Sequence, residues 1–228
     1  MRRNKRSTRG DRGGPVAAAI AIILVVGGVG LVRVSVASQR QVPQPPVGGA
    51  SETPLRGPGP SVRPPQSLAP EIVTPTLVRS KPIALDIPAI EVHSDLQHLG
   101  LTEKGALETP APGPRYNDAA WYRHSPTPGS LGPAVLLGHV DSAADGPSVF
   151  FRLGELRRGD RVSVTRADQS VAVFVVDEVR RYSKNDFPTD LVYSDIDHAG
   201  LRILTCGGAF DDSTGHYLDN IVVFASLL

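Results

Sequence analysis

The stretch Val171-Ala172-Val173-Phe174-Val175-Val176 is apolar at every position and rich in β-branched side chains. A short run of this kind is typical of a strand that is covered on both faces. Comparable runs recur along the chain between turn-forming residues, at 83–87, 134–137, 161–164, 202–205 and 221–225. Short strands separated by turns predict a mainly β domain.

Helical signals in the same region are few. Only the segments 148–156 and 189–193 have the composition of short helical turns, and no alternation of strands with long helices is visible. A parallel α/β architecture is therefore not expected. We predict a closed or nearly closed β-barrel with short helices, because closure protects strand edges from pairing with other chains.

The N-terminus reads as a membrane anchor. Residues 1–14 carry six basic side chains, and the apolar run 15–32 follows them. Eighteen residues at about 1.5 Å each give roughly 27 Å, close to the thickness of the hydrocarbon core. The basic flank predicts a cytoplasmic tail, one transmembrane helix and an extracellular remainder at the cell membrane.

The alternative is a cleaved secretory signal, because Ser35-Val36-Ala37 offers small residues at a plausible cleavage site. The anchor is favoured, since the apolar run is longer than a usual signal core of about 7–15 residues. Residues 33–82 then form an extracellular tether. Eleven prolines lie between residues 38 and 82 without hydrophobic periodicity, so this segment is expected to stay extended.

Residues 83–228 suffice for one domain with its own core. They hold 12 basic and 20 acidic side chains, a net charge of −8. Nucleic acid is not expected as a partner, because its binding depends on a basic surface. One cysteine and dispersed histidines offer no zinc spacing, and no segment matches a calcium loop, so neither a metal nor a cofactor is expected.

Cys206 is the only cysteine, and it comes where the run 202–205 is expected to end as a strand. A thiol without an intrachain partner is a candidate nucleophile, and the glycines that follow leave its approach uncrowded. Thr205 and Gly207 flank the thiol and are candidates to support it, Gly207 through a backbone N–H that could stabilise an oxyanion. The alternative is structural, because a free cysteine is often buried as a small hydrophobe.

His139 is the candidate base among six histidines. It follows the apolar run 133–138 and precedes Val140 and Asp141. Asp141 lies two residues further, on the same side of an extended chain, where it could orient the imidazole or stabilise its charge. A strand-end histidine bonded to backbone is the alternative.

These residues stand in a series of motifs that resembles a sortase, the membrane-anchored cysteine transpeptidases of Gram-positive bacteria. The resemblance covers residues 83–228 and is closest to the class F (actinobacterial class E/F-like) branch. The motifs are Ile87-Pro88-Ala89-Ile90, Trp121-Tyr122, Ser125-Pro126-Thr127-Pro128-Gly129, Gly138-His139-Val140-Asp141-Ser142, Leu204-Thr205-Cys206-Gly207-Gly208, Tyr217 and Asp219-Asn220-Ile221-Val222-Val223-Phe224-Ala225.

The resemblance implies a sortase β-barrel in which His139 and Cys206 face each other across a groove. Cys206 would attack the Thr–Gly bond of a secreted protein's C-terminal sorting signal, similar to Leu-Pro-x-Thr-Gly, and form a thioacyl intermediate. His139 would protonate the departing amine. An amine of a peptidoglycan precursor or a pilin would then accept the surface protein.

One position departs from the family pattern. Sortases carry an arginine after the catalytic cysteine, and in class F it directly precedes the Asp-Asn pair, where this chain has Leu218. Leucine offers neither a hydrogen bond nor a charge. Arg202 is the nearest substitute in sequence and a weak one, because four strand residues separate it from Cys206 by roughly 13 Å. Arg180 and Arg181 would serve only if their loop folds over the groove.

Three hypotheses follow from these residues. The first is an active transpeptidase that uses Cys206 and His139 with an unidentified third group. The second is a degenerate sortase that binds sorting signals or partner proteins without turnover, suggested by Leu218. The third is a non-enzymatic surface domain in which Cys206 is structural or pairs with another chain.

Overall fold

The computed structural model describes residues 42–45 and 75–228. Within them lie ten strands and one short α-helix, interspersed with 3-10 turns at Pro88–Ile90, Leu153–Glu155 and Lys184–Asp186. The elements are β1 (Pro82–Ile87), β2 (Val92–Leu99), β3 (Ala119–Tyr122), β4 (Gly132–Leu137), β5 (Asp141–Ser142), β6 (Gly146–Pro147), β7 (Arg161–Arg166), β8 (Val171–Ser183), α1 (Thr189–Tyr193), β9 (Ala199–Asp211) and β10 (His216–Leu227).

Eight of the strands close into a barrel in the order β1-β2-β3-β4-β9-β10-β8-β7, while β5 and β6 form a separate two-stranded ribbon. The pairs β2–β3 and β4–β9 are parallel, and the other neighbours in the barrel are antiparallel. Closure leaves no strand of the barrel without two partners. The predicted mainly β barrel with short helices is confirmed.

The interior of the barrel is filled by alternate residues of its strands. Leu201 and Ile203 of β9 point inward, as do Ile221 and Val223 of β10. A second apolar cluster covers the outer face of β4, β9 and β10, where Val192 of α1 packs. β4 and β9 are therefore buried on both faces over most of their length, and this dual burial explains their nearly unbroken apolar sequences.

All six predicted strand segments lie within strands, and α1 covers the predicted turn at 189–193. Two details are wrong. The run 171–176 is fully buried on one face only: Ala172, Phe174 and Val176 are buried, whereas Val173 and Val175 are half-buried and Val171 is 49% exposed. β9 also does not end at Cys206 but continues to Asp211, because it pairs with β10 along its whole length.

Part of the segment expected to be an extended tether packs on the barrel. The Val42 side chain is 2% exposed and joins the interior core, and the carbonyl of Pro43 lies against Gly154, where an added Cβ would come within 2.2 Å. The amide of Gln44 accepts a hydrogen bond from the backbone N–H of Gly208 at 3.2 Å. These four residues therefore contact the barrel, and the composition of the segment does not reveal the apolar contact that Val42 supplies.

The predicted cytoplasmic tail (1–14) and transmembrane anchor (15–32) lie outside the described residues, as do 33–41 and 46–74 of the predicted tether. In the part of the chain that the structure describes, no helix is both long and apolar enough to cross a bilayer.

Replacing Val42 with alanine should lower the free energy of unfolding of the full chain by about 2 kcal/mol, from lost apolar burial and the cavity left behind. Denaturant unfolding followed by the fluorescence of Trp121, the single tryptophan, measures this change. Val78→Ala is the matched control, because that side chain is 87% exposed. Equal stability of the two variants would show that the Val42 contact contributes nothing.

Candidate active site

A groove of about 770 Å³ lies on the outer face of the barrel. Its floor is formed by apolar residues of β4 and β9, among them Val135, Leu137 and Leu204. One wall comes from the loop between β2 and β3, and the other from the segment around α1. Both Cys206 and His139 line this groove, so the two residues that the sequence singled out do come together.

Gly138 fixes the end of β4 to β9. Its N–H donates to the carbonyl of Leu204 at 3.2 Å, and its own carbonyl accepts from the Thr205 hydroxyl at 2.9 Å. An added Cβ at this position would come within 2.8 Å of both Val149 and Phe150, so the site requires glycine. Because His139 follows Gly138 and Cys206 follows Thr205, these two bonds set the relative position of the thiol and the imidazole.

Thr205 thus has a structural contact that its sequence position did not reveal. Its hydroxyl is buried and already donates to Gly138, so Thr205 supports the site by joining two strands. Cys206 itself is half-buried, which leaves the sulfur accessible from the groove.

The imidazole of His139 is held on two sides. Its Nε2 lies 2.8 Å from the carbonyl oxygen of Pro110. A carbonyl can only accept, so Nε2 carries a proton and Nδ1 is left for proton exchange. The ring of Tyr116 stacks on the imidazole with 4.1 Å between centroids and 7° between planes. Tyr116 could not be associated with His139 from the sequence, because it lies on a loop far from His139 in the chain.

No hydrogen bond joins Asp141 to His139 among the described residues, and the expected role of Asp141 in orienting the imidazole or stabilising its charge stays a prediction. Its carboxylate accepts from the Tyr217 hydroxyl at 2.5 Å, and its backbone carbonyl accepts from the Tyr116 hydroxyl at 3.1 Å. Burial, then the Asp141 carboxylate, raises the pKa of Tyr217. Burial, then the charge of Asp141, likewise raises the pKa of Tyr116. Both phenols therefore remain hydrogen-bond donors. Asp141 is connected to His139 indirectly, because its backbone carbonyl bonds the Tyr116 hydroxyl and the Tyr116 ring stacks on the imidazole.

Close packing against β10, rather than the need for open access to the thiol, explains the two glycines after Cys206. A Cβ on Gly207 would lie 2.7 Å from Ile221, and one on Gly208 would lie 2.1 Å from the Asp219 carboxylate. Gly208 also has φ +77°, a conformation that favours glycine. A side chain at position 207 would therefore point into the barrel core. No contact among the described residues tests whether the backbone N–H of Gly207 stabilises an oxyanion, so that role stays a prediction.

Leu218 does not line the groove, and its side chain is 50% exposed. The register between β9 and β10 shifts at this position: Tyr217 pairs with Phe210, but Asp219 pairs with Gly207. Beyond the shift, Asn220 pairs directly with Cys206 and lines the groove. On β10 the residue next to Cys206 is therefore Asn220, which in the sequence stands out only as part of a motif.

None of the three arginines considered lines the groove. Arg202 is 6% exposed and its guanidinium lies 4.7 Å from the centre of the Phe224 ring, and burial lowers its pKa. Arg180 pairs with Glu178 at 2.6 Å. The Nε of Arg181 lies 3.4 Å from the carboxylate of Asp219.

Metal ligands are not grouped in the described residues: no three His, Cys, Asp or Glu side chains come together there. The groove is instead polar at one end and apolar along its floor.

The family model described as "Sortase domain" matches residues 85–228, which include the groove, Cys206 and His139. Among solved structures, sortase D5 of Clostridium perfringens is 19% identical, covers 67% of this chain and 82% of its own, and has a TM-score of 0.47. The lid mutant of sortase A from Corynebacterium diphtheriae is 17% identical over 67% and 72%, with a TM-score of 0.48. Sortase C-1 from Actinomyces oris is 17% identical over 65% and 75%, with a TM-score of 0.48. No curated protein matches the chain.

Replacing Tyr116 with leucine removes the ring that stacks on His139, whereas phenylalanine keeps the ring and removes only the hydroxyl. We expect the leucine variant to be about 1 kcal/mol less stable to unfolding than the phenylalanine variant, from the lost aromatic pair. In NMR spectra the Cε1 proton of His139 should move downfield only in the leucine variant, because the ring current is lost. An identical shift in both variants would contradict the stacking.

Burial, and to a smaller extent the charge of Tyr122, raises the pKa of Tyr193 in the groove wall to about 12. A tyrosine in the unfolded chain titrates near pH 10, so burial of the neutral phenol stabilises the fold fully below that pH. This contribution is lost as pH rises towards 12. Titration of tyrosinate absorbance should show a step near pH 12 that Tyr193→Phe removes; an unchanged curve would contradict the assignment.

Proposed function

This chain belongs to the sortase family, a family of cysteine transpeptidases, and we propose that it cleaves sorting signals similar to Leu-Pro-x-Thr-Gly between Thr and Gly. In this proposal Cys206 is the nucleophile and His139 the general acid and base. The observation that carries it is that one groove is lined by both residues, with Gly138 and Thr205 joining the strand ends beside them.

The first half-reaction would form a thioester. The Cys206 thiol gives its proton to Nδ1 of His139, its sulfur bonds to the carbonyl carbon of the Thr–Gly bond, and the carbonyl electron pair moves onto oxygen. Collapse of this intermediate restores the carbonyl and breaks the C–N bond, and the departing amine takes a proton from His139. The Pro110 contact at Nε2 supports Nδ1 as the nitrogen that transfers this proton.

The second half-reaction would resolve the thioester. An incoming primary amine gives a proton back to His139 and attacks the thioester carbonyl, and the Cys206 thiolate leaves. Apolar walls favour amine attack over hydrolysis by limiting water at the carbonyl. The floor residues Leu137 and Leu204 are suited to the leucine and proline of such a signal.

The setting we propose is the outer face of the cell membrane of a Gram-positive actinobacterium, with the chain anchored through residues 15–32. The motifs favour the class F branch. The partners would be secreted proteins with C-terminal sorting signals and an amine of a peptidoglycan precursor or a pilin. The anchor would keep the groove close to both substrates.

The full chain, solubilised in a mild detergent, should cleave a fluorogenic Leu-Pro-x-Thr-Gly peptide and form an adduct with an added amine. Cys206→Ala should abolish both cleavage and adduct, because the thioester cannot form. His139→Ala should reduce both by about 10²- to 10⁴-fold, the usual contribution of a general acid or base. Mass spectrometry of the adduct and of the thioacyl chain measures each half-reaction.

Thr214→Ala serves as a control, because that side chain is exposed and belongs to the turn between β9 and β10. Peptide binding without cleavage across a panel of signals would favour the degenerate sortase. A Cys206 thiol that resists alkylation would favour the structural role. Either result would contradict the proposed transpeptidase.

A further inference from the structure

We propose that Asn220 is a catalytic residue, whose side-chain amide donates a hydrogen bond to the oxyanion that forms when Cys206 attacks a carbonyl. The inference rests on Cys206 being the nucleophile of the proposed function. It assigns the missing third group to a residue two positions beyond Leu218. Three features of the structure lead to Asn220: its register, its position in the groove and its free amide.

The register places Asn220 beside the thiol. Cys206 and Asn220 are directly paired in the antiparallel ladder of β9 and β10. Side chains of such a pair lie on the same face, with Cβ atoms about 4.5–5.5 Å apart. Both residues line the groove, so the shared face is the one that a substrate would occupy.

The amide of Asn220 is also available. The residue is half-buried, and its side chain has no hydrogen-bond partner within residues 42–45 and 75–228. Because the amide opens into the groove and bonds no other described side chain, it is free to donate to a ligand oxygen there. Its NH₂ group supplies two donors for that purpose.

Other side-chain donors near Cys206 are already committed. The Thr205 hydroxyl donates to Gly138. The Arg181 guanidinium lies on the Asp219 carboxylate, and the Arg202 guanidinium is stacked on Phe224. Leu218 has no donor. Among the described residues, Asn220 is therefore the direct neighbour of Cys206 whose side chain has both a free donor and access to the groove.

Acylation and alkylation of Cys206 distinguish this role from a general effect on the thiol. Attack on 4-nitrophenyl acetate bonds the sulfur to the ester carbonyl carbon, places negative charge on its oxygen and then expels 4-nitrophenolate. Attack on iodoacetamide bonds the sulfur to the methylene carbon and expels iodide without any oxyanion. The two reagents thus probe the same nucleophile with and without the charge that Asn220 would stabilise.

Both rates are measured for the full chain and for Asn220→Leu and Asn220→Ala, with Cys206→Ala as the background. Both substitutions remove the donor without placing a charge beside the thiol, so they should slow acylation by about 10²- to 10³-fold, as for other single oxyanion donors, and leave alkylation unchanged. Asn185→Leu is the matched control, because it makes the same chemical change at an exposed position outside the groove. It should change neither rate.

Two results would overturn the inference. One is acylation that both Asn220 variants leave intact, and the other is a parallel fall of acylation and alkylation, which would mean that Asn220 acts on the thiol itself. A wild-type chain that neither reagent modifies overturns both proposals. A chain that is acylated in an Asn220-dependent way but cuts no sorting peptide supports the inference and contradicts only the proposed substrate. Thermal unfolding of both variants checks that the fold is retained.

Discussion

The two hydrogen bonds on Gly138 are the constraint on which the groove depends. They extend the parallel pairing of β4 and β9 by one step past the end of β4, so that the residue after each bonded pair projects into the same groove. A site held by a strand ladder is more precise than one held by loops alone. A side chain at Gly138 would come within 2.8 Å of both Val149 and Phe150, so packing favours glycine at the position whose backbone makes these two bonds.

The tyrosines around Asp141 extend this constraint to the imidazole. Tyr217 brings β10 to the Asp141 carboxylate, and Tyr116 connects the Asp141 backbone to the face of His139. Burial, and then Asp141, raise the pKa of both phenols, and each protonated phenol in turn donates a hydrogen bond to an oxygen of Asp141. The imidazole of His139 is thus held by a ring and a backbone carbonyl, and Asp141 is one contact away through its own backbone carbonyl.

The sequence predicted those features that depend on local pattern. Runs of apolar and β-branched residues between turns made the barrel strands visible, and burial on both faces explains the nearly unbroken apolar sequences of β4 and β9. β2 was missed because only Val92 and Leu96 are buried among polar neighbours, and β3 because it has four residues. Cys206 and His139 stood out by chemistry and by their motifs. Tyr116 and the docking of Val42 could not be inferred, because each depends on a contact between distant parts of the chain.

Asn220 shows how register decides a site that a motif only approximates. Between the pairs Tyr217–Phe210 and Asp219–Gly207, β9 contains two residues and β10 contains one, Leu218. This bulge places Leu218 outside the groove. The glycines that permit the bulge can be recognised in the sequence, but the number of extra residues in the bulge cannot be predicted from it. An uncharged amide beside the thiol also suits an apolar groove, because burying it costs less than burying a guanidinium without a partner. The fold therefore places a neutral donor next to Cys206, while Arg180 and Arg181 lie on carboxylates and Arg202 lies on the Phe224 ring.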